Sequence, residues 1–237
     1  MLQAGLIGFA AAATLVVGAV IGSSVRLSER AVGLVMGFGA GALISAVSFE
    51  LVVDAIDRGG TVVLTIGLAA GALVYFVATR ILDRTTRSSG QTAGEASGLA
   101  ITVGAAIDGI PESLILGTSL IGGASVPLAF FAAVAISNLP EGISAGADLT
   151  AAGEPRARVV RRFLAIAVAS GLAAALGFVL FDALRPEALA FVQAFAAGGL
   201  LTMVMDTMAP EAFADAGPLS GLIAVAGFEL AFLLSSA

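Results

Sequence analysis

The polar positions of this chain fall in short clusters separated by long apolar runs. A helix needs about 20 mostly apolar residues to cross the hydrocarbon of a bilayer. Eight runs qualify: Leu2–Ser24, Ala31–Val53, Thr61–Leu82, Gly98–Leu120, Val126–Asp148, Arg162–Phe181, Ala188–Ala209 and Pro218–Ser236. The pattern predicts an all-α integral membrane protein of eight transmembrane helices, forming one membrane domain over residues 1–237. The longest connections are Asp83–Ser97 and Leu149–Arg161, too short for a separate domain. Asp83–Ser97 is rich in Ser, Thr, Gly and Arg and reads as a mobile loop. The first run lacks a positively charged start and is long for a secretory signal, so it reads as a span.

Composition strengthens the membrane reading. The chain is 59% hydrophobic and only 12% charged, with a mean hydropathy of +1.06. Soluble domains carry about a quarter charged residues. Cysteine is absent, which excludes disulfides and thiolate metal sites. Histidine is absent too, removing the commonest metal ligand. A net charge of -6 argues against nucleic acid as a partner.

All 11 positive charges are arginines, and their placement predicts orientation. Nine lie on one side of the predicted bundle: Arg26, Arg30, Arg80, Arg84, Arg87, Arg156, Arg158, Arg161 and Arg162. Only Arg58 and Arg185 lie on the other. The arginine-rich side is expected to face the cytoplasm, with both termini extracytoplasmic in a multi-pass cell (inner) membrane protein.

Two stretches resemble each other. Phe38-Gly-Ala-Gly-Ala-Leu43 recurs as Phe195-Ala-Ala-Gly-Gly-Leu200, an offset of 157 (195 minus 38). Asp54-Ala55 and Glu211-Ala212 match at the same offset. The two helices run in opposite directions, as in inverted repeats of secondary transporters. The expected arrangement is an inverted repeat of helices 1–3 and 6–8 around helices 4–5. Chance similarity among small-residue membrane helices is the alternative.

The fourth and fifth runs carry the informative residues. The fourth reads Ile107-Asp108-Gly109-Ile110-Pro111-Glu112-Ser113, and the fifth Ile136-Ser137-Asn138-Leu139-Pro140-Glu141-Gly142. Both motifs lie near the middle of their runs, and so near the bilayer midplane. Asp108 and Glu112 are four residues apart and share a helix face. Asn138 and Glu141, three apart, share another. Pro111 cannot donate to the Ile107 carbonyl, nor Pro140 to that of Ile136. Each frees a backbone oxygen and is expected to kink its helix.

A charge at the bilayer centre costs about 3 kcal/mol on insertion scales. No basic residue is predicted at this depth. The carboxylates must therefore be protonated, hydrated or neutralised by a bound cation. Carboxylates with amide and carbonyl oxygens make a hard-oxygen site suited to a divalent ion. Neutral acids bracing a helix contact are the structural alternative.

These motifs resemble helices 4 and 5 of the ZIP family of divalent-metal transporters, most of all its bacterial GufA-type branch. There the fourth helix typically carries His-Asn-x-Pro-Glu-Gly and the fifth Gln-Asn-x-Pro-Glu-Gly. The likeness extends to Gly39–Leu43 with Glu50 and Asp54, and to Asp206 with Pro210-Glu211. Eight helices with both termini outside is the family topology. By position, the resemblance implies Asp108, Glu112, Asn138 and Glu141 as metal ligands, with Ser137 a weaker one. The family's helix-4 His and Asn are Asp108 and Gly109 here, its helix-5 Gln is Ser137, and its helix-2 His falls at Glu50. An acid found in helix 6 of some members has no counterpart, Ser170 being the nearest polar position. The implied cargo is zinc, iron(II) or manganese, with magnesium also compatible with oxygen ligands. A site without that acid is compatible with one metal in place of two, and both numbers stay open.

Glu50, Asp54, Asp206 and Glu211, with Ser170, are candidates for a cation pathway, with solvated helix ends the alternative for Asp54 and Glu211. Asp148 and Asp182 read as interfacial, and Glu229 has no obvious partner. The pairs Gly37/Gly41, Gly67/Gly71, Gly142/Gly146 and Gly217/Gly221 fit close helix packing. They do not specify an assembly, and a homodimer stays open.

The function expected is transport of divalent cations toward the cytoplasm by alternating access. A non-transporting metal sensor or regulatory protein is one rival. An intramembrane aspartyl protease built on Asp108 and Asp206 is a weak one, since residues 104–108 read Gly-Ala-Ala-Ile-Asp and lack that family's Gly-x-Gly-Asp motif.

Overall fold

Backbone polar groups find no partner in hydrocarbon, so a chain this apolar satisfies them within helices. The computed structural model describes residues 1–25, 27–88, 93–121 and 128–236. Among them the helices are α1 (Leu2–Gly22), α2 (Glu29–Ala46), α3 (Val53–Ser88), α4 (Ala93–Thr118), α5 (Leu128–Ala151), α6 (Arg156–Phe181), α7 (Pro186–Met203), α8 (Ala209–Ala216) and α9 (Leu219–Ser235). Ser28 caps α2, its side chain accepting a hydrogen bond from the Ala31 N–H at 3.2 Å. Pro186 opens α7, where its missing N–H costs nothing. Glycine breaks the path where the backbone turns left-handed, at Gly60 (φ 72°) within α3 and at Gly217 (φ 63°) between α8 and α9.

Five helical stretches among the described residues are long and apolar enough to cross a membrane: Leu2–Gly22, Glu29–Leu82, Leu128–Ala151, Arg156–Phe181 and Pro186–Ala216. Their outward faces carry large apolar side chains, among them Leu6, Val62, Ile66, Leu128, Leu172 and Met205. A water-soluble domain would bury such a surface. Lipid is the environment that matches it.

The loop expected over Asp83–Ser97 is largely helix. α3 continues to Ser88 and α4 begins at Ala93, with residues 89–92 outside the described residues. Arg26 and the Arg87 side chain also lie outside what is described. The Leu149–Arg161 connection likewise shrinks, since α5 runs to Ala151 and α6 starts at Arg156. Hydropathy marks where hydrocarbon ends, whereas a helix continues for as long as each residue adds a hydrogen bond. Pro111 and Pro140 sit inside helices that continue through them.

Two π-helical segments were not foreseen. Val47–Val52 joins α2 to α3, and Val204–Met208 joins α7 to α8. The first carries Glu50 and the second Asp206. Their starts are 157 residues apart (204 minus 47).

α3 packs along α7, α2 along α9, α1 along both α5 and α6, and α4 along α6. Glycine permits the closest approaches. A Cβ on Gly71 would strike the Phe195 carbonyl, and one on Gly198 the Leu68 carbonyl. A Cβ on Gly227 would strike the Phe38 carbonyl, and one on Gly41 the Ala224 carbonyl. Gly142 and Gly146 press on α1 in the same way. The expected Gly217/Gly221 pair is not of this kind. Gly217 ends α8, and nothing stands within 4 Å of a Cβ on Gly221.

Candidate metal centre

The helical spacing of Asp108 and Glu112 on α4 orients both carboxylates toward the bundle interior. Asp108 accepts a hydrogen bond at Oδ1 from the Tyr75 hydroxyl of α3, 2.7 Å away. Glu112 is 1% exposed, and its Oε2 is buried with no hydrogen-bond partner. An ionisable oxygen left so is costly unless a cation or proton completes it. From α5, Glu141 is half-buried, and it lies within electrostatic range of Asp108, Glu112 and Glu211. Among the described residues, the charges acting on Glu141 are those of other carboxylates.

The two polar neighbours on α5 are buried and partly committed. The Ser137 hydroxyl donates to the Val134 carbonyl at 3.0 Å, inside its own helix. Asn138 Nδ2 donates to the Ala11 carbonyl at 3.3 Å and ties α5 to α1. Ser170 of α6 is fully buried with an unpartnered hydroxyl. A Cβ on Gly109 would stand 3.6 Å from Ser170 Oγ, so the serine faces the α4 motif.

The three carboxylates share one electrostatic neighbourhood without closing on one point. Among the described residues, no group of three or more acidic side chains is gathered tightly enough to hold one metal ion. The arrangement brings Asp108, Glu112 and Glu141 near each other on α4 and α5, with Ser170 facing the α4 motif, while Ser137 packs against Gly39 of α2 and Asn138 reaches α1.

The four acidic pathway candidates are distributed differently. Glu50 accepts a hydrogen bond from the Ser235 hydroxyl at 2.6 Å. Asp54 is held from two sides, by Arg58 Nε at 2.7 Å and by Gln193 Nε2 at 2.6 Å. Both acids line a cavity of about 360 Å³ that also includes Asp57, Thr118 and Ser119. Glu211 is exposed and lies within electrostatic range of Asp148 and Asp215. Those last two line a cavity of about 620 Å³ with Glu29, Ser23 and Ser24. Asp206, expected to be a deep acid, is on the exposed side of its π segment. Glu229 is likewise on the exposed side of α9.

Sequence reasoning missed Tyr75, Gln193, Asp57, Asp148 and Asp215 as neighbours of these acids. Tyr75 carried a signal, being the one tyrosine in the chain and lying inside an apolar run. Asp148 and Asp215 carried none, because acids at helix ends are ordinary.

No protein-family model matches the chain. An Arabidopsis thaliana protein that bears the name "putative zinc transporter" is 28% identical to it over 218 residues. The match covers 90% of this chain and 35% of that protein, so the chain spans about a third of the relative's length. Nearly the whole of this helical membrane chain is thus similar to one part of a protein named for zinc transport.

Proposed function

We propose that this chain is a ZIP-like transporter that moves divalent metal cations toward the cytoplasm, binding them at Asp108, Glu112 and Glu141 with oxygens of Asn138 and Ser137. The observation that carries this reading is the buried, unpartnered oxygen of Glu112, set beside two further carboxylates. A cation passing through would supply the missing charge. Its ligand set would close as the helices shift, which fits carboxylates that are near each other but not gathered. Zinc is the cargo named for the Arabidopsis relative. The all-oxygen donor set also suits manganese and iron(II).

The proposed topology has eight crossings and extracytoplasmic termini. Gly60 would divide Glu29–Leu82 into two of the crossings. An inverted repeat of the first three and last three crossings is supported by the packing. Phe38 and Gly41 of α2 correspond to Phe195 and Gly198 of α7 at the offset of 157 (195 minus 38, 198 minus 41). The Gly41–Ala224 and Phe38–Gly227 approaches of the α2–α9 contact then have counterparts in the Gly198–Leu68 and Phe195–Gly71 approaches of the α7–α3 contact. The two π segments obey the same offset. Alternating access between two such halves is the mechanism we infer.

The test is uptake of zinc and manganese into proteoliposomes by the unaltered protein and by Glu112→Ala/Glu141→Ala. Uptake is expected to fall to the level of empty liposomes in the double variant. Equal uptake by both proteins would sink the assignment.

A further inference from the structure

Gln193 raises a question that the midplane carboxylates do not answer. It is 5% exposed and lines the cavity at the bend between α2 and α3. Its Nε2 donates to Asp54 Oδ2 at 2.6 Å, which fixes which end of the amide is oxygen. That oxygen, Oε1, is buried and has no hydrogen-bond partner. A buried amide oxygen left unpaired is unfavourable by the desolvation of an acceptor. Around it the cavity supplies Glu50, Asp54 and Asp57, with the hydroxyl groups of Thr118 and Ser119. An acceptor without a donor, in a cavity whose polar lining includes three acids, is the complement of a hard cation.

Arg58 belongs to the same space. Its Nε donates to Asp54 Oδ1 at 2.7 Å, from a side chain that is half exposed. It is one of only two arginines on the predicted extracytoplasmic side. The guanidinium is a tethered positive charge, four residues along the helix from the acid it covers.

We infer that this cavity is a second cation site, a capture site in which Asp54, Glu50 and Gln193 Oε1 take a hard divalent cation and Arg58 is displaced from Asp54. Only its purpose, feeding an ion to the midplane carboxylates, rests on the transport reading; binding itself does not. Arg58 makes the site selective by charge. A monovalent ion gains little by exchanging places with a guanidinium, whereas a divalent ion brings twice the charge to the same acids. An exposed ion pair of this kind is weak enough to be exchanged readily.

The experiment is Mn²⁺ titration of the purified full-length chain in detergent, followed by electron paramagnetic resonance at fixed pH and ionic strength. It uses the Glu112→Ala/Glu141→Ala background, so that the midplane ligands are removed. That protein is expected to retain a bound Mn²⁺. Adding Asp54→Asn or Gln193→Leu should weaken it about tenfold or more, as even outer-shell changes do at metal sites. Adding Arg58→Gln should tighten it by roughly twofold to fivefold, the worth of an exposed ion pair. Gln193→Leu alters a buried position and risks the fold. Arg58→Gln alters an exposed one, and misfolding does not produce a gain in affinity. No Mn²⁺ bound in the background protein, or an affinity indifferent to both Asp54→Asn and Arg58→Gln, would overturn the site. Absence of flux by the unaltered protein, with Arg58-sensitive binding intact, would instead refute the transport reading and leave this site standing.

Discussion

The Tyr75 hydroxyl of α3 donates to Asp108 Oδ1 of α4 across 2.7 Å, joining residues 33 apart in sequence. The bond orients one carboxylate of the candidate metal centre while using one of its lone pairs. It also ties α4 to α3, which otherwise packs along α7. Tyr75 and Asp108 both line an apolar cavity of about 500 Å³ between α3, α4 and α7. Any movement of α4 that gathers the carboxylates has to keep or break this bond.

Tyr75→Phe is therefore expected to weaken cation binding at the centre about tenfold, the usual scale for loss of a partner behind a metal ligand. The check is Mn²⁺ affinity in a double-mutant cycle with Asp108→Asn. If Tyr75 acts through Asp108, the double variant will be no weaker than Asp108→Asn alone. Additive losses would show that Tyr75 acts some other way.

Gly71→Ala is expected to destabilise the α3–α7 contact by about 1–3 kcal/mol, as overpacking does. The added methyl would meet the Phe195 carbonyl, which belongs to a helix and has nowhere to move. Gly227→Ala, facing the Phe38 carbonyl, should behave alike if the two contacts are equivalent. Gly104→Ala serves as control, since nothing lies within 4 Å of a Cβ there. Thermal unfolding in detergent measures all three, and a Gly71→Ala protein as stable as the control would contradict the close approach.

Because the chain has no cysteine, single cysteines report orientation without background. Ala183→Cys lies in the turn between α6 and α7, and Ala152→Cys in the turn between α5 and α6. With extracytoplasmic termini, a membrane-impermeant maleimide added to intact cells should label Ala183→Cys alone. Labelling of Ala152→Cys alone would reverse the proposed orientation.

Much of the local architecture was legible in the sequence. The apolar runs place α1 and α5 within a few residues, and the i, i+4 spacing of Asp108 and Glu112 puts them on one face. The Pro-Glu motifs marked the stretch where Glu112 is buried without a partner. Misplaced were the helix ends near Asp83–Ser97, where hydropathy falls but the helical hydrogen bonds continue. That Asp206 lies on the exposed side of its segment was not legible, because depth along a helix says nothing about which way its face turns. The π segments left no local mark, since each widens a helix whose residues look ordinary.

The sequence by itself determined that this is a membrane protein, where its apolar runs lie, and that its polar chemistry is acidic oxygen without histidine or cysteine. Those properties are read residue by residue against lipid. Only the tertiary structure decided which polar groups meet: Tyr75 with Asp108, Asn138 with Ala11 from 127 residues away, and Gln193 with Asp54 from 139 away. The physical reason lies in the solvent. Lipid tails are as apolar as the helix surfaces, so hydrophobicity does not choose helix partners. Small-residue packing at positions such as Gly41, Gly71 and Gly142 makes that choice, and the meeting of the acids follows from it.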